Sequence, residues 1–418
     1  MTENKPLNLV VYAIHPIMYQ TPIFRALQCR IDAERLPVAQ TVLFGDDISL
    51  RPVYFEEIKT TFKPDTPTLL DGYEYVLMKN YARDSRAGFL SRINPGVFRE
   101  LRERRADAVL VHGYESLTAW ITVLAAKLAG ARLIWRGEVT PRAPHPGLRD
   151  QLRRWLLRWY LSKFDGLMYS CEGNRVFLQD ILGERLNRVP LHRIPCAVDN
   201  RFFQEEYDRL NPERATIRDR LGIGTDDVVS LICARLTTRK RPMDLLDALA
   251  KLDDPRQVAL FVGDGPEMAG LKSRAAELGV RAVFAGFVNQ SEIAQYYTAA
   301  DIFAILSDYD PSPKALNEAM NFRLPVIVTE PVGTAYDLVD QCRNGFRVPV
   351  GAVSQISEAV RRISARPEHM QAMGQASARI VADWSIEADT DAILAAASSV
   401  TQRRLVPRGN SRGRPPCA

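Results

Sequence analysis

Residues 302–318 read IFAILSDYDPSPKALNE: an apolar run, a proline-rich loop carrying acids, and the opening of a helix. Ile302–Ile305 suits a short buried strand, and Pro313 stands near a helix start, where its fixed φ fits the first turn. Outward from this stretch the same alternation repeats. Strand candidates are Val228–Cys233, Val258–Val262, Ala282–Phe284 and Pro325–Val328, with helices over roughly Pro242–Lys251, Pro266–Leu278, Gln290–Ala299 and Pro313–Asn321. An earlier series covers Leu7–Ile14, Val38–Phe44, Tyr73–Leu77, Ala108–Val111, Arg132–Trp135, Gly166–Tyr169 and His192–Pro195. Its first helix starts at Thr21-Pro22, with Thr21 as N-cap and Pro22 at the first helical position. Strands that alternate with helices predict βα units and parallel sheets, the α/β class. The pause around 195–203 divides the chain into two doubly wound domains, 1–198 and 199–383, followed by a helix over 384–402. Two such domains facing each other would put the carboxyl ends of both sheets at one central cleft, where ligands of open α/β sheets bind.

The 418 residues suffice for two to three domains of about 150 residues. Hydrophobic and charged fractions of 46% and 25% are those of a globular chain and exclude a disordered, collagen-like or coiled-coil one. The formal charge of +5 resides in residues 401–418, which hold Arg403, Arg404, Arg408, Arg412 and Arg414 and no acid. The body is therefore neutral, which argues against a nucleic-acid partner. The tail over 403–418 reads as disordered, and its Leu405–Gly409 (LVPRG) resembles the thrombin-cleavage linker of expression vectors; a native basic tail is the alternative. Six cysteines without a C-x-x-C pair, and five histidines, indicate neither a disulfide framework nor a metal site. A reducing, cytoplasmic setting is expected, since Leu7–Ile14 is too short for a signal peptide. Leu117–Ala126, stopped by Lys127, falls short of the ~18 apolar residues that a membrane span needs.

Two stretches carry chemistry. Asp310 precedes the helix at Pro313 and Glu318 lies inside it, eight positions on. The helix start offers backbone N–H groups of Lys314, Ala315 and Leu316 to an anion, and Glu318 can accept from two vicinal hydroxyls such as those of a ribose. The plain reading makes Glu318 a solvated helix residue and Asp310 a loop acid. Directly after Val228–Cys233 comes ARLTTRKRP, with Arg235, Arg239, Lys240 and Arg241 within seven residues. Arginine offers a planar fork to phosphate oxygens and lysine a movable point charge; a solvated basic loop is the alternative. Together, a diphosphate clamp and a diol acceptor at one sheet edge describe a nucleoside-diphosphate site.

The ordered set Arg235-x4-Lys240, Val262-Gly263-Asp264-Gly265-Pro266, Asp310-x7-Glu318 with Ala319-Met320, Leu324–Ile327, Val332-Gly333 and Trp384-Ser385 resembles retaining glycosyltransferases of family 4. The resemblance covers about residues 195–400. It implies the GT-B fold of two Rossmann-like domains, with the last helix crossing back to the N-terminal one. It implies a nucleotide-sugar donor gripped by Arg235 and Lys240, with Glu318 on the ribose and Asp310 on the transferred sugar. Pro313, Lys314, Ala315 and Gly263 would line the donor, and Phe287-Val288 would lie beside the base. Cationic side chains would replace a resident metal, and no cofactor is implied. Family members usually carry Glu where this chain has the shorter Asp310.

The N-terminal half departs from that pattern. Where relatives often have Gly-Gly after the first strand, this chain reads HPIMYQTP (residues 15–22), which leaves His15 and Gln20 as acceptor-side candidates. Arg136 and Glu138 stand where many relatives place a sugar-contacting His; they read equally as a structural ion pair. His112 is a further cleft-edge candidate, or a satisfied structural histidine. Leu148–Phe164 has five cations and one acid, with Leu148, Leu152, Trp155, Leu156 and Trp159 at helical spacing. One reading is a surface helix drawn to anionic lipid, giving a peripheral membrane contact; the other is an amphipathic helix covering the N-terminal sheet.

The expectation is a retaining, metal-independent hexosyltransferase acting on a glycan, lipid-linked or small-molecule acceptor. A nucleotide-sugar epimerase on the same fold would form product without acceptor. A non-catalytic nucleotide-sugar-binding partner subunit would bind a nucleoside diphosphate without turnover.

Overall fold

A computed structural model of the chain describes residues 5–51, 53–55, 60–62, 68–84, 88–141 and 147–405. Among the described residues the strands are β1 (Leu7–Ala13), β2 (Val38–Phe44), β3 (Val53–Phe55), β4 (Thr60–Phe62), β5 (Tyr75–Leu77), β6 (Ala108–His112), β7 (Arg132–Gly137), β8 (Gly166–Tyr169), β9 (Leu191–Arg193), β10 (Val228–Cys233), β11 (Gln257–Val262), β12 (Arg281–Gly286), β13 (Ile302–Ile305), β14 (Val326–Thr329) and β15 (Gly345–Val348). They form a seven-stranded sheet β5-β2-β1-β6-β7-β8-β9, a six-stranded sheet β12-β11-β10-β13-β14-β15 and a two-stranded sheet β3-β4. Both large sheets are parallel. Parallel strands covered on both faces must be continuously apolar, and β10 (VVSLIC), β11 (QVALFV) and β13 (IFAI) are buried almost throughout.

The strand order decides where ligands can sit. Each large sheet has its first strand in the middle, with the second and third on one side and the later strands on the other. The order reverses between β1 and β6 in one sheet and between β10 and β13 in the other. At such a switch point successive loops leave to opposite faces, so a crevice opens beyond the strand ends.

The chain divides into two compact units: residues 1–53, 66–196 and 386–418 in the first, and 54–65 with 197–385 in the second. The final helix, Ile386–Thr401, packs against Thr21–Glu34 and against β7, β8 and β9. Arg30, itself buried, reaches Asp391 of that helix at 2.6 Å, and Val400 presses on Gly166, where an added Cβ would stand 2.7 Å from its Cγ1. The tail expectation fails at its start. Leu405 is buried in the same core as Leu7, Phe24 and Ile393, and Arg403 lies 3.5 Å from Asp107. Burying this leucine contributes about 1.5–3 kcal/mol, which offsets part of the cost of ordering residues that composition alone reads as a tail. Residues 406–418 lie outside the described residues.

The N-cap of the first helix is Gln20 rather than Thr21, which is its first helical residue. The strand Gly345–Val348 and the helices Val353–Ser364 and Pro367–Ala382, which sequence periodicity left unassigned, complete the second unit.

Candidate functional site

In the second unit the loops after β10 and β13 meet at the switch point. Asp308 N–H donates to the Arg239 carbonyl (2.9 Å), the Arg239 guanidinium to the Tyr309 carbonyl, and Lys240 Nζ to an Asp310 carboxylate oxygen. Lys240 is half-buried and Asp310 is buried, so each neutralises a charge the other would leave poorly solvated. The two residues expected on different parts of one donor thus pair with each other. Asp310 is further fixed by a bridge to Val332, with Gly333 N–H donating to its carbonyl (2.8 Å).

Glu318 is 1% exposed, and this overturns the solvated-helix reading. Its carboxylate accepts from the Tyr297 hydroxyl at 2.7 Å. Cys233 is the last residue of β10. Burial pushes its thiol up to about 12, with the Glu318 carboxylate adding to the rise and the Lys240 ammonium opposing it. Arg235 is exposed on the same loop, and Phe287 is also exposed, with Val288 half-buried after β12.

Gly263 owes its identity to packing. At φ +124° an added Cβ would stand 2.0 Å from the Ala234 carbonyl, so only glycine lets the loops after β10 and β11 lie side by side. At the helix Lys314–Asn321, capped by Pro313, one of the three N–H groups read as available is spent. Leu316 N–H donates to the Pro313 carbonyl at 3.1 Å. Sequence reading missed Ser307, Asn317 and Thr334. All three are buried, and their Oγ, Nδ2 and Oγ1 atoms have no hydrogen-bond partner among the described residues. Ser307 and Thr334 follow β13 and β14, and a hydroxyl just beyond a strand's carboxyl end is the signal that was there to read.

In the first unit Gln20, His112, Arg136 and Glu138 line one pocket, together with Ile14, Ile17, Gly113, Glu115 and Gly137. Its volume of about 160 Å³ is close to the ~150 Å³ that accommodates one six-membered ring. It sits at the β1–β6 switch point, and His15 is not part of its lining. His15 instead places Nδ1 3.3 Å from the Pro16 carbonyl. Four buried polar atoms here have no partner among the described residues: Gln20 Oε1, His112 Nε2, and Arg136 Nε and Nη1. His112 Nε2 thus faces the pocket's lining without a hydrogen-bond partner among the described residues, which favours the cleft-edge reading over the structural one. Burial holds its pKa well below the ordinary value, with Arg136 adding to the effect, so the ring is neutral. Burial disfavours the Arg136 charge, but the Cys196 thiol, Glu138 and Asp389 outweigh it and hold the guanidinium above its ordinary value. Arg136 Nη2 lies 3.0 Å from Cys196 Sγ and 3.9 Å from Glu138 Oε1, so the ion pair and the pocket coexist.

Residues 213–379 match the model for group 1 glycosyl transferases, and 70–197 that for the glycosyl transferase 4-like domain. Alpha-monoglucosyldiacylglycerol synthase of Streptococcus pneumoniae is 29% identical over 185 residues, 43% of this chain and 41% of that protein. D-inositol 3-phosphate glycosyltransferase of Saccharomonospora viridis is 29% identical over 229 residues, 51% of this chain and 53% of that protein. The chain thus spans about half or less of these relatives' length. Among solved structures, Anabaena HepE in complex with UDP and glucose superposes over 94% of this chain and 100% of its own, with a TM-score of 0.68 at 17% identity. The chain thus carries a glycosyl transferase 4-like domain over 70–197 and a group 1 glycosyl transferase domain over 213–379, and it has the GT-B fold of its structural neighbours.

Proposed function

We propose that the chain is a retaining glycosyltransferase that moves a sugar from a nucleotide-diphosphate donor to a glycan, lipid-linked or small-molecule acceptor, without a resident metal. The observation that carries this reading is the Lys240–Asp310 ion pair at the β10–β13 switch point, beside the buried Glu318. An arriving diphosphate competes with Asp310 for Lys240. Once Lys240 turns to the phosphate oxygens, the Asp310 carboxylate is released to accept from hydroxyls of the transferred sugar. Arg235 and the N–H groups of Lys314 and Ala315 add to the phosphate grip, Glu318 takes the ribose hydroxyls, and Phe287 and Val288 flank the base. The ring-sized pocket of the first unit, with Arg136 as donor and Gln20 as acceptor, is the acceptor-side candidate.

In the chemical step the acceptor oxygen attacks C1 on the face from which the diphosphate departs. The C1–O bond to phosphate breaks, its electron pair leaves with the diphosphate, and the acceptor proton passes to a donor phosphate oxygen. Lys240 and Arg235 stabilise the charge that builds on the leaving group, a contribution of about 2.7–4 kcal/mol for one well-placed donor.

A thermal-shift panel of UDP, GDP, ADP and their sugars tests the reading. One nucleotide at 100 times its Kd should stabilise the protein by ~2.7 kcal/mol, and its sugar should be turned over when acceptor is added. Stabilisation by none of them would overturn the assignment.

A further inference from the structure

The helix Leu148–Leu161 does not cover the N-terminal sheet with the face that sequence periodicity picks out. Leu157, Tyr160 and Leu161 are the residues that pack inward, while Leu148, Leu152, Trp155, Leu156 and Trp159 are exposed by 84, 58, 61, 38 and 47%. The exposed surface continues onto its neighbour. Trp159 stacks on Trp120 of the helix Leu117–Ala129, with centroids 5.9 Å apart and planes at 15°, and Trp120 in turn meets Phe89 at 6.1 Å. Leu124 and Leu128, one and two turns beyond Trp120, are exposed by 55 and 73%. A contiguous apolar surface on two helices is unusual for a face left in water, and large patches of this kind mark docking sites.

The charges select the occupant. Arg149, Arg153, Arg154 and Arg158 are all exposed on the same helix, Lys163 lies over the Trp159 ring at 4.6 Å, and Asp150 is the helix's one acid. A second copy would set these arginines against their own images. Cations around tryptophan and leucine suit an anionic bilayer surface, where aromatic rings sit at headgroup level and arginines pair with lipid phosphates. Spanning is excluded for this element: its 14 residues extend ~21 Å, and no described helix is long and apolar enough to cross a membrane. We infer that the first unit docks peripherally on anionic lipid bilayers through Trp155, Trp159, Leu152 and Leu148, with Leu124 and Leu128 alongside and Arg149, Arg153 and Arg158 on the headgroups. This surface is separate from the proposed donor and acceptor pockets and stands or falls apart from them.

Flotation of the full chain with vesicles of phosphatidylcholine alone, or of phosphatidylcholine with an equal part of phosphatidylglycerol, tests the inference. Binding is expected to the mixed vesicles only, with a blue shift of tryptophan fluorescence. Arg149→Gln and Arg153→Gln should each weaken partitioning about fivefold. Leu152→Glu with Trp155→Glu should abolish it without lowering the melting temperature, since both positions are exposed. Removing residues 406–418, with Arg408, Arg412 and Arg414, should leave binding in place. Failure to bind mixed vesicles at low salt, binding that survives the double substitution, or binding lost with the tail would overturn it. So would a dimer in solution, or a stable complex with an acidic protein, that the double substitution dissolves.

Discussion

The two units share a strand order, and each gathers its candidate site residues where that order reverses, yet the two sites are wired differently. In the second unit the charged groups are satisfied before any ligand arrives: Lys240 holds Asp310, and Tyr297 holds Glu318. In the first, Gln20, His112 and the charged Arg136 keep polar atoms without hydrogen-bond partners among the described residues, whereas in the second only the neutral Ser307, Asn317 and Thr334 do so near the site. Compensated charges suit a ligand that brings its own charge and exchanges partners on binding. Unpartnered hydrogen-bonding atoms around a ring-sized space suit a neutral polyhydroxyl ring that supplies both donors and acceptors. The comparison predicts that the second unit governs donor affinity and transition-state charge, and the first governs acceptor recognition.

The largest effect should come from Lys240→Ala. It removes the cation that neutralises the leaving diphosphate and leaves Asp310 buried without its partner. kcat/KM should fall about 10²–10³-fold, equivalent to ~2.7–4 kcal/mol, while the acceptor KM stays close to that of the wild type. Steady-state kinetics at varied acceptor concentration reads both. A loss confined to acceptor KM would break the proposed division between the units.

Next in size are two substitutions that should separate cleanly. Glu318→Gln keeps the shape and removes the charge, and should weaken nucleotide binding by about 1.5–3 kcal/mol in calorimetry while sparing acceptor KM. Arg136→Lys keeps the charge and removes the planar fork. It should raise acceptor KM by a similar factor and leave nucleotide affinity untouched. If both variants shift the same parameter, the two pockets do not divide the labour in this way.

Legibility in the sequence follows the same line. All strands of both large sheets except Gly345–Val348 were readable because buried parallel strands are short apolar runs, and the residue pairs Arg235/Lys240 and Asp310/Glu318 because loops at strand ends are where chemistry collects. What could not be read depended on distant partners. Nothing near Glu318 says that Tyr297, twenty-one positions earlier, will bury and bind it. Helical spacing at Leu148–Trp159 defines an apolar stripe but not its direction, and the stripe turned outward because Leu157 and Tyr160 occupy the core side. Leu405 looked like tail because its partners, Leu7 and Phe24, lie almost a whole chain length away.

The smallest predicted effect concerns protons, and it sharpens the contrast from the side of the first unit. Burial depresses the pKa of His112 well below 6.5, and it lowers His15 and His192 in the same sense. Above pH 6.5 the imidazole of His112 is neutral in both folded and unfolded chains, so it makes stability no more pH-dependent. Below that value the unfolded chain takes up a proton that the folded chain refuses. Stability should then fall by at most about 1.4 kcal/mol per pH unit for this residue. Urea unfolding at pH 7.5 and at pH 5.5 should give a smaller difference for His112→Asn than for the wild type. An equal difference in His112→Asn would mean that the ring is protonated within the fold. The pocket would then hold a second cation beside Arg136, and the contrast between the two units would be lost.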